Sequence, residues 1–506
     1  MTIQAVPATT VIRRAYRLTL DPTPRQAQML SHWAGAARAM YNHSISAKQE
    51  SHKRWLQEVA FATYGPVALT EEQARKTIRI PIPSTPDFNA WLTGTRNFHR
   101  EAAGKGLPVP GLRDDGREHE PWLHAVNRSA LVGGLRNADR AWNNWMASFK
   151  GIRAGRRVGY PRFKKRGVAR DSFTITHDRK SPGIRLATTR RLRIPTFGEI
   201  RFHDHAKHLQ RKIRRGTVEI TSVTVSRHGH RWYASLAVEE TIPVPRLSKR
   251  KRTAGIIGVD LGVHTLAALS NGDLIANPKI KASHARKLAR LQKRLARSQK
   301  GSRTWKQLVH KIGRLAHLEA RQREGYAHDL ANRLVKTWAG IGIEDLNVAG
   351  MTRSARGTIE KPGRNVHAKA GLNRSILDVA PAQIRRILEY KTAWSGTCLV
   401  VIGRFEPTSK KCSACGVEKD KLPRKERIFH CDACGLTLDR DINAAINIAA
   451  LADVATAELP VSIRRGIVHG RHETPVEPPR ANPFPTRAGN GRRRNVDRPA
   501  RVIFAQ

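Results

Sequence analysis

Cys412, Cys415, Cys431 and Cys434 form two C-x-x-C pairs with fifteen residues between them. Four thiolates at that spacing suit one tetrahedral Zn²⁺, each sulfur at about 2.3 Å and no position open to water. The site is therefore expected to be structural. Gly416 and Gly435 follow the two pairs and can take the positive φ that turns backbone N–H groups toward the sulfurs. Just beyond, in DRDINAAINI, Asp441 opens an alanine-rich helix, where the helix dipole favours its ionised form. A closed thiolate site beside such a carboxylate leaves room for a second chemistry, that of a hard cation.

Two more acids stand out. Asp260 lies in the apolar run IIGVDLGVHT, where an ionised carboxylate is costly unless it is paired or bound to a metal. Glu344 ends the apolar strand IGIE, and Asp345 beside it should point to the opposite face, because strand side chains alternate. Each acid also has a plain reading. A strand-end acid is commonly a surface residue, and an aspartate at a helix start is commonly a cap. Asp439 competes with Asp441 for that cap. The fifth cysteine, Cys398 in TCLVVIG, reads as a small buried hydrophobe.

The elements that must carry these residues follow from periodicity. VIRRAYRLTL at 11–20 reads as a strand with Ile12, Tyr16, Leu18 and Leu20 on one face. Thr23, Pro24 and Gln26 then make a capping box with proline in the first turn, opening a helix to about residue 47. Residues 50–120 mix short helical pieces with stretches such as IPIPSTP and read as insertions or loops, and helical periodicity returns at 124–150. GYPRFKKRG interleaves aromatics with cations, which suits a loop on a nucleic-acid backbone. Arg162, Lys164 and Lys165 are its candidate phosphate contacts. Residues 217–240 form a hairpin about Gly229, and 246–252 a basic linker. After it come two strand patterns with an Asn271-Gly272 turn. Two long helices span 281–335, with fifteen Lys/Arg against three Asp/Glu; this is a phosphate-facing surface or a solvated one. A buried strand at 339–351 ends at the acids, a helix covers 380–395, and a strand covers 397–405. The Pro-, Arg- and Gly-rich tail from 456 reads as disordered.

At 506 residues, with 40% hydrophobic side chains, the chain can bury several cores. No apolar run is long enough to span a bilayer, and the N-terminus lacks an apolar signal core. A soluble, cytoplasmic, nucleoid-associated protein is expected. Lys and Arg number 92 against 41 Asp and Glu, a net charge of +51. The matching counter-charge is a polyanion, and nucleic acid is the abundant one.

The pieces YRLTLDPTPRQAQML, GYPRFKK, GVDLGVHTLAALSNG, IGIEDLNVAGM, TSKKCSACG and CDACGLTLDRDINAAINI, in this order, resemble the TnpB family of transposon-encoded nucleases and its descendants, the miniature type V CRISPR effectors. The stretch 48–120 matches no motif of the family. The resemblance implies an α/β multidomain chain whose RuvC nuclease domain, of RNase H-like fold, is split into 253–405 and 436–455 around a zinc ribbon at 406–435. It implies an N-terminal wedge β-barrel from 1–22 and 158–252, a helical recognition lobe at 23–157, and a basic tail at 456–506. Asp260, Glu344 and Asp441 fall on the family's catalytic acids, and its D-x-N-A-A pattern selects Asp441 over Asp439.

Three converging carboxylates would take two Mg²⁺ ions about 3.5–4 Å apart, with Mn²⁺ as a substitute, and hydrolyse a phosphodiester to a 5′ phosphate and a 3′ hydroxyl. The implied partners are a guide RNA and target double-stranded DNA, with no membrane, and the protein would act as a monomer. The activity would be RNA-guided DNA cleavage next to a short flanking motif. A guide-independent RuvC-type nuclease and an RNA-guided DNA-binding repressor are the alternatives.

Overall fold

The computed structural model describes residues 9–64, 68–106, 123–153, 155–177, 183–423, 426–457 and 501–503. The chain divides into two units, Val11–Thr241 and the residues from Ile242 onward together with those up to Thr10.

In the first unit, β1 (Thr9–Thr19) alternates exposed odd positions, as far as Arg17, with inward Ile12, Tyr16 and Leu18. Helix α1 (Pro24–Ala62) starts at the capping box, where the Gln26 backbone N–H donates to Thr23 Oγ1 at 3.3 Å. It runs past the expected stop near residue 47. Its second half, from Ala47 to Ala62, contains neither glycine nor proline, so nothing ends the helix although its apolar stripe fades. The stretch read as insertions or loops also holds two helices, α2 (Glu71–Thr77) and α3 (Thr85–Lys105), with 78–84 outside any helix. Helix α4 (Arg128–Phe149) packs closely on α1. A Cβ at Gly134 would lie 2.3 Å from the Ala37 carbonyl.

Strands β2 (Ser172–Thr176), β6 (Val218–His228) and β7 (Arg231–Pro243) join β1 in a sheet of order β1-β7-β6-β2. Between β2 and β6, strands β3 (Arg185–Thr188), β4 (Arg191–Ile194) and β5 (Gly198–Arg201) form a second sheet, followed by α5 (Lys207–Arg214). One core, including Trp33, Leu131, Phe173, Leu192 and Val223, joins the helices to both sheets.

The second unit begins with α6 (Lys249–Ala254), a short helix capped by Ser248 where the sequence suggested a linker. Then come β8 (Ile256–Asp260), β9 (Thr265–Leu269) and β10 (Leu274–Ala276), three strands where two were expected, with the Asn271-Gly272 turn joining the last two. Helices α7 (Ile280–Ala296) and α8 (Arg303–Thr337) lead to β11 (Gly340–Glu344). After α9 (Val348–Met351), α10 (Val366–Val379) and α11 (Pro381–Ser395) comes β12 (Cys398–Ile402). A small hairpin, β13 (Ile428–His430) and β14 (Thr437–Asp439), precedes α12 (Arg440–Ala457). Of the tail, all but the last turn of α12 and β15 (Arg501–Ile503) lies outside the described residues. Strand β15 is an exception to the expected disorder, since it pairs with β12.

The main sheet has the order β10-β9-β8-β11-β12-β15. Strands β8, β9 and β10 are antiparallel neighbours, whereas β11 runs parallel to both β8 and β12. Parity divides its faces. Ile257, Val259, Ile341, Ile343, Leu399 and Val401 pack with α8 and α11. Cys398, Val400 and Ile402 pack with Ile448 and Ala452 of α12 on the other face. Among the described residues no helix is long and apolar enough to cross a membrane.

Candidate functional site

Asp260 and Glu344 are the last residues of adjacent parallel strands. The register pairs Ile343 with Val259, so the two acids stand side by side one step further on. Both share the parity of Gly258 and Gly342 and so face α12. Helix α12 lies unusually close to this face. A Cβ at Gly258 would fall 1.9 Å from the Ala445 carbonyl, and one at Gly342 would fall 2.9 Å from the Ala452 methyl. Alanines on the helix and glycines on the strands permit this approach, which brings Asp441, in the first turn of α12, toward the same strand ends. A Cβ at Gly262, just past β8, would lie 3.9 Å from Asp441 Oδ2.

The electrostatics match that arrangement. Burial, then the charges of Glu344 and Asp441, push Asp260 up to about 8. Burial also raises Glu344, against a hydrogen bond that the Thr408 hydroxyl donates to Glu344 Oε1. Among the described residues neither acid has an ion-pair partner. Asp441 has Arg427 Nη1 at 3.8 Å. Asp439 is the cap, its Oδ1 accepting from the N–H groups of Asp441 at 2.8 Å and Ile442 at 3.2 Å, so the Asp441 carboxylate is left for other work. Asp345 points the other way, between Arg385 of α11 and Arg404. Those two guanidiniums, Arg404 foremost, hold its carboxyl below its ordinary range despite partial burial. The cleft acids offer oxygen donors only, the set that suits Mg²⁺ or Mn²⁺.

The four cysteines are, among the described residues, the one group of three or more metal-binding side chains whose ligand atoms all lie within 4.8 Å of one another. Cys412 and Cys434 sulfurs are 3.6 Å apart, and those of Cys415 and Cys431 are 3.5 Å apart. A tetrahedral zinc site has sulfurs about 3.8 Å apart, so the cluster fits that ion. The two knuckles repeat one pattern. The Gly416 N–H donates to the Cys412 carbonyl at 3.0 Å, and the Gly435 N–H donates to the Cys431 carbonyl at 2.9 Å. Both glycines hold positive φ, 79° and 76°. Burial opposes the Cys412 thiolate, but the N–H groups of Cys415 and Ala414 outweigh it and bring that thiol down to about 6. Cys398 lies apart in β12, where burial pushes its thiol up to about 12.

Sequence reasoning missed three residues between these two clusters. Asn443 is wholly buried and Asn447 nearly so. The Asn443 amide donates to the Lys411 carbonyl at 2.8 Å, and its Oδ1 accepts the Ser413 N–H at 2.9 Å. The Asn447 amide donates to the Thr408 carbonyl at 2.8 Å and the Lys411 carbonyl at 2.7 Å. Thr408, also buried, is the residue whose hydroxyl reaches Glu344. The available signal was two asparagines four apart on an otherwise apolar helix, hence on one face.

In the first unit, Arg162 and Lys165 are exposed. Lys164 is folded over the Tyr41 ring, 3.8 Å from its centroid, and its backbone is pinned by Asn42. The neighbouring Tyr160 and Phe163 are 40% and 49% exposed.

Residues 235–355 match the OrfB_IS605 family, described as a probable transposase, and 382–448 match the Cas12f1-like TNB domain. Residues 11–55 match a family described as a helix-turn-helix domain, although here they are β1 and a single long helix. The solved complex of Cas12f1 with single-guide RNA and target DNA aligns with a TM-score of 0.41 at 14% identity, over 87% of this chain and 99% of that one. The chain is 31% identical over 478 residues to a Streptomyces pristinaespiralis protein named "Putative RNA-guided DNA endonuclease", spanning 93% of this chain and 97% of that protein. It is 30% identical over 445 residues to "Putative RNA-guided DNA endonuclease InsQ" of Escherichia coli K12, spanning 88% of this chain and 93% of that protein. Identity at that level along nearly the whole of both chains means that this chain belongs to the TnpB-like family.

Proposed function

We propose that this protein is an RNA-guided DNA endonuclease whose hydrolytic centre is Asp260, Glu344 and Asp441, with Mg²⁺ as the metal and Mn²⁺ as its substitute. The reading rests on one observation: two acids end adjacent parallel strands on the face that α12 covers, and the third opens that helix. When bound, the cations supply Lewis-acid neutralisation of the phosphodiester. The chain does the rest. Glu344 is oriented by the Thr408 hydroxyl. Burial first, then the charges of Glu344 and Asp441, makes Asp260 hold a proton until positive charge arrives.

The domain division follows the same reading. The RuvC domain is 253–405 with 436–455, and the zinc ribbon is 406–435. The wedge is 1–22 with 158–252, and the recognition lobe is 23–157. The strand order β10-β9-β8-β11-β12, antiparallel then parallel, supports an RNase H-like nuclease fold. The net charge of +51 suits a guide RNA and double-stranded DNA as partners, with Arg162 and Lys165 as phosphate contacts and the protein acting as a monomer.

The test is plasmid cleavage by the purified chain with its co-purified RNA in Mg²⁺. Asp260→Ala should abolish cutting and keep RNA binding. Cutting by that variant at the wild-type rate refutes the assignment of the centre. Cutting that survives RNase treatment refutes the guide, and target occupancy without strand breaks refutes the nuclease.

A further inference from the structure

We propose that Asn443, Asn447 and Thr408 are positioning residues that couple the cysteine cluster to the acid cluster, so that the fold of the ribbon sets the affinity of the carboxylates for their cation. The inference rests on the nuclease reading above and extends it to residues that touch neither metal.

The connection is a continuous set of hydrogen bonds. Lys411 and Ser413 flank the ligand Cys412, and both are tied through backbone atoms to Asn443. Asn447, one turn on, holds the Lys411 carbonyl a second time and adds that of Thr408. Thr408 closes the path with its hydroxyl on Glu344. Asn443 lies two residues from Asp441 on the same helix. Thus the segment 408–413 is clamped to the helix bearing one acid and donates to another. The two side chains are buried and both amides donate to backbone carbonyls of 408–411, which gives this stretch a defined seat on α12. Neither asparagine is needed for helix propensity, since Leu or Ala would serve better there. The segment that carries the first cysteine of the cluster therefore also supplies the partner that orients Glu344.

Outer partners of metal-binding groups typically change metal affinity by about 10–100-fold when removed. The experiment uses the full chain freed of RNA. Mn²⁺ binding is followed by electron paramagnetic resonance, with Asp260→Asn as the background, and zinc content is measured in parallel. Thr408→Val and Asn447→Leu should keep one zinc per chain and weaken the Asp260-dependent Mn²⁺ site at least about tenfold. Thr408→Ser should restore the affinity, because it restores the hydroxyl. Stripping zinc from the wild-type chain should weaken Mn²⁺ in the same way.

Unchanged Mn²⁺ affinity in Thr408→Val, or in the zinc-stripped chain, overturns the coupling. If Asn447→Leu does not fold, the Thr408 pair carries the test alone. If the wild-type chain binds Mn²⁺ through Asp260 but cuts no DNA, the endonuclease reading fails and the coupling is still decided by the binding data. If it shows no Asp260-dependent site, both fail.

Discussion

Replacing Gly258 by alanine tests how α12 delivers Asp441. The added Cβ would lie 1.9 Å from the Ala445 carbonyl oxygen and 2.5 Å from the Ala449 nitrogen. Both are backbone atoms of a helix, so no side chain can swing aside. Contacts under 3.0 Å are essentially never made by a real Cβ, so helix and strand must part by at least about 1 Å. Overpacking of this kind costs about 1–3 kcal/mol, which leaves most domains folded. A misplacement of about 1 Å between reacting groups, however, costs on the order of 100-fold in rate. Gly258→Ala should therefore lower the cleavage rate about 100-fold while RNA binding and most of the thermal stability remain. Gly325→Ala is the matched control. It lies in α8 with nothing within 4 Å of the new methyl, so it should gain about 0.5–1 kcal/mol from helix propensity and cut normally. Single-turnover cleavage and thermal melts of the two variants decide the matter. A Gly258→Ala protein that cuts as fast as Gly325→Ala refutes the argument that close seating of α12 sets the site.

Other outcomes follow from the same geometry. Cys431→Ser removes a buried sulfur of the cluster; zinc sites of this type contribute on the order of 10 kcal/mol to folding their module. Zinc content should fall, and the amides of 411–439 should exchange rapidly in hydrogen-exchange measurements. In the first unit, Lys48 and Asp139 form an ion pair at 2.9 Å, with Lys48 buried at 3%. Lys48→Met should destabilise by about 3 kcal/mol at neutral pH, read by denaturant melts, because it leaves Asp139 unpaired. Burial works against the Asp139 carboxylate, but hydrogen bonds from Lys48 and Thr85 prevail and lower its proton affinity. Its contribution is thus present above its ordinary value of 3.8 and lost as pH falls through the depressed one. The gap between wild type and Lys48→Met should be full at neutral pH and close in acid; a gap independent of pH would refute that sign.

Much of this architecture was readable from short-range signals. The capping box at Thr23, the hairpin about Gly229 and the helices α7 and α8 are each written in a few neighbouring residues. The end of α1 was not, because its second half has few apolar side chains and is stopped only after Ala62. Residues 71–105 hid their helices behind IPIPSTP, whose last proline, Pro86, sits in the first turn of α3, where a missing N–H costs no helical hydrogen bond. At the site, the acids stood out by context and alternation placed Asp345 opposite Glu344. That Asp260 and Glu344 stand side by side depends on register between strands separated by two long helices, which no local pattern encodes. The roles of Asn443, Asn447 and Thr408 are likewise tertiary, since their partners lie thirty or more residues away in sequence. The glycines at 258 and 342 gave no sign that a helix would press against them.

The order in which β8, β11 and α12 occur along the polypeptide has a bearing on its synthesis. Translation is vectorial, so the first unit and the strand bearing Asp260 leave the ribosome while Asp441 is still unmade. We expect arrested nascent chains to acquire basic, polyanion-binding surfaces early and phosphodiesterase competence only once α12 has emerged. A message broken within the ribbon would then yield an occupant of nucleic acid that cannot nick it, a built-in safeguard for the cell making it. Detectable cutting by chains halted before Asp441 would show that no such safeguard exists.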